Sequence, residues 1–158
     1  MKITLGERTI DHVRIYFEKT QNDTIRRMLP SDVTCIEQAI ANFEQSLLPD
    51  ATSYGRTVCC DGQYIGDIWC YCINPQETPN AMLSYCIFEQ EFWNRGIACE
   101  AVSLFLKQLC QKYTLQTVGA FTFADNLASI RVLEKNGFTV RERFTENGRE
   151  SCYLERSL

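Results

Sequence analysis

Long apolar runs are missing from this chain. No stretch approaches the ~20 consecutive apolar residues of a membrane-spanning helix, and residues 1–8 hold no apolar segment of a signal peptide. Excess basic charge is missing too. The formal net charge is −4, which excludes a broad cationic face as the source of affinity for nucleic acid. Histidine is nearly absent, His12 being the only one, and no Cys-x-x-Cys pair occurs. The ligand spacing of a structural zinc site is therefore lacking. Repeats, low-complexity tracts and blocks of like charge are absent as well. The expectation is a soluble, cytoplasmic protein with no metal and neither a membrane nor a nucleic-acid partner.

What is present suits one domain spanning 1–158. The apolar share of 45% is that of an ordinary globular chain with a sizeable core. Cysteine is abundant, at nine residues. An odd number without a secretion signal argues for small buried hydrophobes in a reducing compartment rather than a disulfide framework. A cysteine-based redox or zinc protein is the alternative, and the spacing does not support it. Cys70 and Cys72 are expected on the same side of one strand, and the adjacent Cys59 and Cys60 on opposite sides.

Along the chain, Val13-Arg14-Ile15-Tyr16-Phe17 alternates as a first strand. Two helices follow, over 23–29 and 32–47, with Ser31 or Asp32 as the cap of the second. Ile36, Ala39, Ile40, Phe43 and Leu47 make its core-facing stripe. Segments 54–60 and 64–73 read as a hairpin closed by Asp61-Gly62. A turn-rich loop covers 74–80, a strand 81–88, and a long helix 96–113. In that helix Ile97, Ala101, Phe105, Leu109 and Tyr113 recur every four residues. The continuous apolar run 117–123 predicts a strand buried on both faces. A shorter helix takes 128–136, with Gly137 at the left-handed cap position. Segments 138–144 and 149–155 then form a last hairpin around Asn147-Gly148. Hairpins first, then strand–helix–strand–helix–strand, specify an α/β fold (α+β by strict definition). Its sheet is mixed and mostly antiparallel, with six to seven strands and helices on both faces.

The most informative stretch is Trp93-Asn94-Arg95-Gly96-Ile97-Ala98-Cys99-Glu100-Ala101. A helix start carries unpaired N–H donors and a partial positive charge. A glycine before it lets a phosphate approach the backbone closely. Asn126-Leu127-Ala128-Ser129 and Lys135-Asn136-Gly137-Phe138 follow one strand later.

Together these motifs resemble the GNAT superfamily of acyl-CoA-dependent N-acetyltransferases. Its pyrophosphate loop, [Gln/Arg]-x-x-Gly-x-[Gly/Ala], matches residues 93–98, with Trp93 in the first place. That Trp, with Asn-x-x-Ser-x-x-x-Leu-Glu-Lys-x-Gly-Phe over 126–138, is similar to the ribosomal-protein N-acetyltransferase branch. The element order agrees over 13–154, and the likeness is residue-specific over about 85–138.

The resemblance implies transfer of an acetyl group from acetyl-CoA, the cosubstrate, to an amine acceptor by direct attack in a ternary complex. The acceptor is a protein N-terminus or a small-molecule amine, and the protein is a monomer or homodimer. A non-catalytic acyl-CoA-binding or sensor module is the alternative. Backbone donors across Trp93, Asn94, Arg95, Gly96, Ile97 and Ala98 would hold the pyrophosphate, with Arg95 adding charge or remaining solvated. Backbone groups of Cys86, Ile87 and Phe88, on a splayed fourth strand, would pair with the pantetheine arm and polarise the thioester. Asn126 is a pantetheine contact or a helix cap. Trp93 lines the cleft or anchors the loop.

Proton chemistry is where the chain departs from the family pattern. Many members place a tyrosine four residues before the last Gly-Phe; here that place is Leu133. Ser129, one turn after Asn126, is the substitute acid, with a purely structural helix serine as the alternative. The family's glutamate on the fourth strand is replaced by Met82 or Leu83. Glu89, Glu91 and a water relay to Asp125 are the candidate bases. Cys99, in the first helical turn, is a reactive thiol or a small packed residue. The acceptor cleft is expected from the first two helices, the 74–80 loop and the last hairpin.

Overall fold

Thr9 decides the first element, and against expectation. In a computed structural model that describes residues 1–76 and 78–158, residues 13–17 lie not in a strand but in a helix, α1 (Ile10–Lys19). Thr9 is extended and its hydroxyl accepts from the His12 N–H, while His12 Nδ1 accepts from the Thr9 N–H at 3.0 Å. This reciprocal cap satisfies two backbone donors at the helix start. Residues 13, 16 and 17 then share a helical face, with Val13 buried. The short apolar alternation fits both periods, and the cap selects the helix.

Asn22 caps α2 (Asp23–Met28), accepting from the Ile25 N–H at 2.9 Å. The next helix, α3 (Ile36–Ser46), starts later than expected. Ser31 spends its hydroxyl on the Val33 N–H in a local turn, which leaves Cys35 at the cap with no side-chain bond. Of the expected stripe only Phe43 is buried, and Leu47 is exposed, because α3 packs on α1.

The strands are β1 (Ile3–Gly6), β2 (Tyr54–Cys60), β3 (Gln63–Asn74), β4 (Asn80–Ile87), β5 (Thr117–Phe123), β6 (Thr139–Glu146) and β7 (Arg149–Ser157). They form one sheet in the order β1-β2-β3-β4-β5-β7-β6, antiparallel except for β4 beside β5. The four-residue β1 was not legible in the sequence. Both Asp61-Gly62 and Asn147-Gly148 have positive φ at both residues, the two-residue turn that suits strand twist. Cys70 and Cys72 do not share a side. A bulge between Tyr71 and Asn74 puts Cys72 at φ 51° and exposes it, while Cys70 is buried.

Helix α4 (Ile97–Lys112) covers one face with Ile97, Ala101, Phe105 and Leu109, all buried as their four-residue spacing requires. Helix α5 (Leu127–Lys135) adds Ile130 and Leu133 to the same core. It ends with Gly137 at φ 86°, whose N–H reaches the Glu134 carbonyl while the Phe138 N–H reaches that of Leu133. The opposite face carries a smaller core of Ile25, Cys86 and Phe88 under α1 and α2. Strand β5 is buried at Val118 and Ala120 on the α4 side; on the other side Gly119 is covered by Tyr153 and Met82, but Phe121 is 57% exposed. The expected two-sided burial fails there because the first helices lie over the β3–β4 half. No helix among the described residues is long and apolar enough to cross a membrane.

Candidate active site

The one parallel junction in the sheet is incomplete. Strand β4 pairs with β3 along its length, but with β5 only at Asn80↔Thr117, Ala81↔Val118 and Met82↔Gly119. From Leu83 onward the two strands part and leave a wedge-shaped opening. The Phe88 N–H donates to the Ile65 carbonyl at 2.9 Å. Backbone direction alternates along an antiparallel ladder, so Cys86 and Phe88 present their backbones to β3. Those of Leu83, Tyr85 and Ile87 face the opening. Of the three backbone positions expected to line the cleft, only Ile87 does so, and Tyr85 joins it.

Beyond β4 a 3-10 turn (Gln90–Phe92) leads to Trp93, whose indole N–H donates to the Ile87 carbonyl at 2.7 Å. Trp93 is thus anchored to the end of β4 while its ring, 37% exposed, lies at the rim. Asn94 and Gly96 take left-handed conformations, φ 59° and 79°. Gly96 caps α4 without any side-chain bond, and the Glu100 N–H is the donor that takes its carbonyl. The N–H groups of Ile97, Ala98 and Cys99 therefore begin the helix with no capping acceptor. Ile97 contributes backbone alone, its side chain being buried. Nothing lies within 4 Å of where a Cβ on Gly96 would stand, so the approach to these donors is open. Arg95 is exposed, 5.3 Å over the Phe92 ring, and beside the Glu91 carbonyl.

On the other lip of the opening, Asn126 caps α5, its side-chain oxygen accepting from the Ser129 N–H at 3.2 Å. The Ser129 hydroxyl lies 2.9 Å from that of Tyr85. A hydroxyl pair from two elements thus spans the wedge. Burial pushes the Tyr85 phenol up to about 12, so it is protonated near neutral pH and available as a donor. The sequence reading placed Ser129 here and used Tyr85 only as a marker of the strand. Leu133, where the family's tyrosine was sought, is buried in the core.

The other candidates are held elsewhere. Glu89 pairs with Lys19 of α1 at 2.9 Å, which fixes it against that helix. Glu91 is exposed beside the loop. Asp125 lies 3.4 Å from Arg149, whose guanidinium covers the Phe123 ring and bonds the Arg27 carbonyl. That contact joins α2 to the start of β7, so the last hairpin and the early helices close over the β5 lip. The 74–80 loop does not take part. It precedes β4, whereas the opening lies at the far end of that strand; residue 77 falls outside the described residues. Cys99 is packed against Asn136, whose amide reaches the Cys99 carbonyl at 3.2 Å and the Val132 carbonyl at 2.9 Å. Among the described residues, no three His, Cys, Asp or Glu side chains group closely enough to hold a metal ion.

The sequence matches the family model described as "Acetyltransferase (GNAT) domain" over residues 2–139. No curated protein sequence matches the chain. Among solved structures, it is similar to the ribosomal L7/L12 alpha-N-protein acetyltransferase RimL in complex with coenzyme A. That match has a TM-score of 0.83 and 16% identity, and covers all of this chain and 95% of the other. The aminoglycoside acetyltransferase AAC(6')-Ib, solved with coenzyme A and kanamycin, gives 0.81 and 15%, covering 99% and 95%. The Microcin C7 self immunity acetyltransferase MccE, with acetyl-CoA and AMP, gives 0.81 and 17%, covering 99% and 93%. At these identities the likeness is one of fold.

Proposed function

Because this chain belongs to the GNAT acetyltransferase family, we propose that it transfers an acetyl group from acetyl-CoA to a primary amine, by direct attack in a ternary complex. The acceptor is a protein N-terminus or a small-molecule amine. The observation that carries an enzymatic reading over a sensor is the Tyr85–Ser129 pair across the wedge. Binding needs the loop and the opening alone; a donor pair at the opening serves a leaving group.

Acetyl-CoA supplies an activated thioester and departs as a thiolate. The unpaired donors of Ile97, Ala98 and Cys99, at the positive end of α4, hold its pyrophosphate. The Tyr85 and Ile87 backbones, unpaired on the side of the opening, would hold its pantetheine arm, and the Ile87 N–H is a donor available to the thioester oxygen. Ser129 gives its proton to the sulfur and is reprotonated by Tyr85, and a proton lost from the attacking nitrogen, carried by water, restores the Tyr85 phenol. With nine unpaired cysteines, the protein works in a reducing compartment, the cytoplasm.

Thermal melts with acetyl-CoA and free-thiol release against a panel of amines and peptides test this reading. At 100-fold over Kd the ligand adds about 2.7 kcal/mol to stability. A melt indifferent to acetyl-CoA overturns the proposal; a shift without turnover on any amine leaves a sensor. In the active enzyme, Ser129→Ala and Tyr85→Phe should each lower the single-turnover rate by about 100-fold, within the usual range for a general acid. The double variant should fall no further, since the two hydroxyls form one relay. Additive losses, or full activity in either single variant, would remove the relay from the mechanism.

A further inference from the structure

The first two helices touch both lips of the wedge, and on one lip a single side chain carries the polar contact. On the β4 side, Ile25 of α2 packs against Cys86 and Phe88, and Lys19 of α1 pairs with Glu89 at 2.9 Å. On the β5 side, every hydrogen bond from α1 or α2 to the β5–α5–β7 region, among the described residues, comes from Arg149.

Arg149 opens β7 and is half-buried. Its Nη1 donates to the Arg27 carbonyl at 2.6 Å, and its Nη2 stands 3.8 Å from Met28 Sδ. The Arg27 carbonyl lies in the last turn of α2, beyond reach of the helix's own N–H groups, so an arginine is a suitable partner. The same guanidinium lies 3.4 Å over the ring of Phe123, the last residue of β5, and its Nη2 is 3.4 Å from Asp125 Oδ1. One planar cation thus binds the end of α2, the end of β5 and the turn into α5. A stackable plane with a fork of donors allows this, and an ammonium has neither feature.

What Arg149 holds is the segment that delivers Ser129. Asp125 precedes Asn126, whose side-chain oxygen takes the Ser129 N–H at 3.2 Å. The turn is braced by its backbone as well. The Ala124 N–H donates to the Glu150 carbonyl and the Asn126 N–H to that of Phe123, both at 3.0 Å. The Tyr85–Ser129 pair crosses the wedge on the α4 side, where Tyr85 packs against the main core. The α2–Arg149 tie crosses on the opposite side, where Cys86 and Phe88 face α2. The β4–β5 ladder itself ends at Met82, so beyond that residue the lips are joined by these two ties.

We propose that Arg149 is a positioning residue: by tying α2 to the β5–α5 turn it sets the width of the wedge and the place of the Ser129 hydroxyl. The inference rests on the acetyl-transfer reading and assigns no chemistry to the guanidinium itself. A shift of about 1 Å in a catalytic group lowers a rate by as much as about 100-fold, so a tie this far from the sulfur still matters.

Arg149→Met keeps an apolar stem over Phe123 and removes the polar contacts. In the free protein, hydrogen exchange at the Ser129 amide should quicken by at least about tenfold more than in the middle of α4. Equal acceleration at both places, or none, overturns the proposal. Coenzyme A affinity, read by calorimetric titration, should weaken about tenfold, within the range for a residue coupled to a ligand it does not touch. Unchanged affinity removes the claim on the wedge.

In single turnovers at saturating acetyl-CoA, with the panel amine that the wild type uses best, Arg149→Met should slow transfer about tenfold. In the Ser129→Ala background the same substitution should cost nothing further, because a misplaced hydroxyl and an absent one are equivalent. Additive losses, or an unchanged rate in the single variant, show Arg149 to be structural only. Arg149→Lys, a cation without the stacked fork, should give intermediate losses throughout and tests the role even where Arg149→Met does not fold. A wild type that neither binds coenzyme A nor acetylates any amine strikes the acetyl-transfer reading instead, and the exchange measurement still decides the tie.

Discussion

A glutamate in place of Gly96 is expected to abolish coenzyme A binding while the protein remains folded. Gly96 sits at φ 79° with open space around its missing side chain, so the new residue meets no neighbour. Its left-handed backbone costs a non-glycine residue about 1–2 kcal/mol, within the about 5–15 kcal/mol of a typical domain. Binding suffers far more. The carboxylate would stand at the start of α4, compete for the Ile97–Cys99 donors and repel a pyrophosphate. Like-charge juxtaposition costs several kcal/mol, so affinity should drop by at least about 100-fold. Calorimetric titration with coenzyme A, beside a circular-dichroism melt, gives the answer. Retained affinity in a folded variant would show that the loop is not where the phosphates bind.

The second large effect is expected from a single methyl. Gly66 on β3 faces Ile87 across the ladder, and a Cβ there would overlap the Cys86 carbonyl oxygen and stand 2.9 Å from Ile87 Cα. These are main-chain atoms and cannot rotate away. Gly66→Ala should therefore push the end of β4 toward the wedge, where Tyr85 and Ile87 form one lip. Overpacking of this kind costs about 1–3 kcal/mol, which corresponds to a melting temperature lower by about 2–12 °C in a domain of this size. Coenzyme A affinity should fall with it, since the displaced strand is the one that would pair with the pantetheine arm. A variant as stable as the wild type would mean that β4 yields more readily than its two-sided environment suggests. Gly62→Ala is a useful control. Unlike Gly66 it has a positive φ, 85°, and it lies in an exposed turn with nothing within 4 Å, so it reports the backbone cost without any clash.

The comparison of the two glycines bears on what could be read in advance. Gly96 was recognisable because its neighbours in sequence, Arg95 and the α4 repeat, announce a loop entering a helix. Gly66 announced nothing, because what constrains it is a strand some twenty residues later. The same division runs through the site. Asn126 was legible as a cap and Ser129 as its helical neighbour, since both belong to one turn. The partnership of Ser129 with Tyr85, 44 residues apart, depends on β4 and β5 lying parallel and then parting.

Glu89 illustrates the converse. Its position in a loop after the fourth strand made it a candidate base, yet Lys19 draws it onto α1. Asp67 carries no local signal of burial, since an acidic residue in a strand is ordinarily exposed. The α1 and α3 cover, itself hidden by the misread strand at 13–17, turns that face into an interior.

The sequence by itself determined the elements whose signals are local. The four-residue repeat of α4, the two Asx-Gly hairpin turns, the glycine after α5 and the phosphate-friendly helix start all act within one or two turns of chain. Only the tertiary structure decided the site. Hydrogen bonding between neighbouring strands can stop at Met82, and that interruption opens the wedge and brings two hydroxyls to its lips. Such distances are fixed by the register and packing of segments remote in sequence, which no short-range pattern encodes.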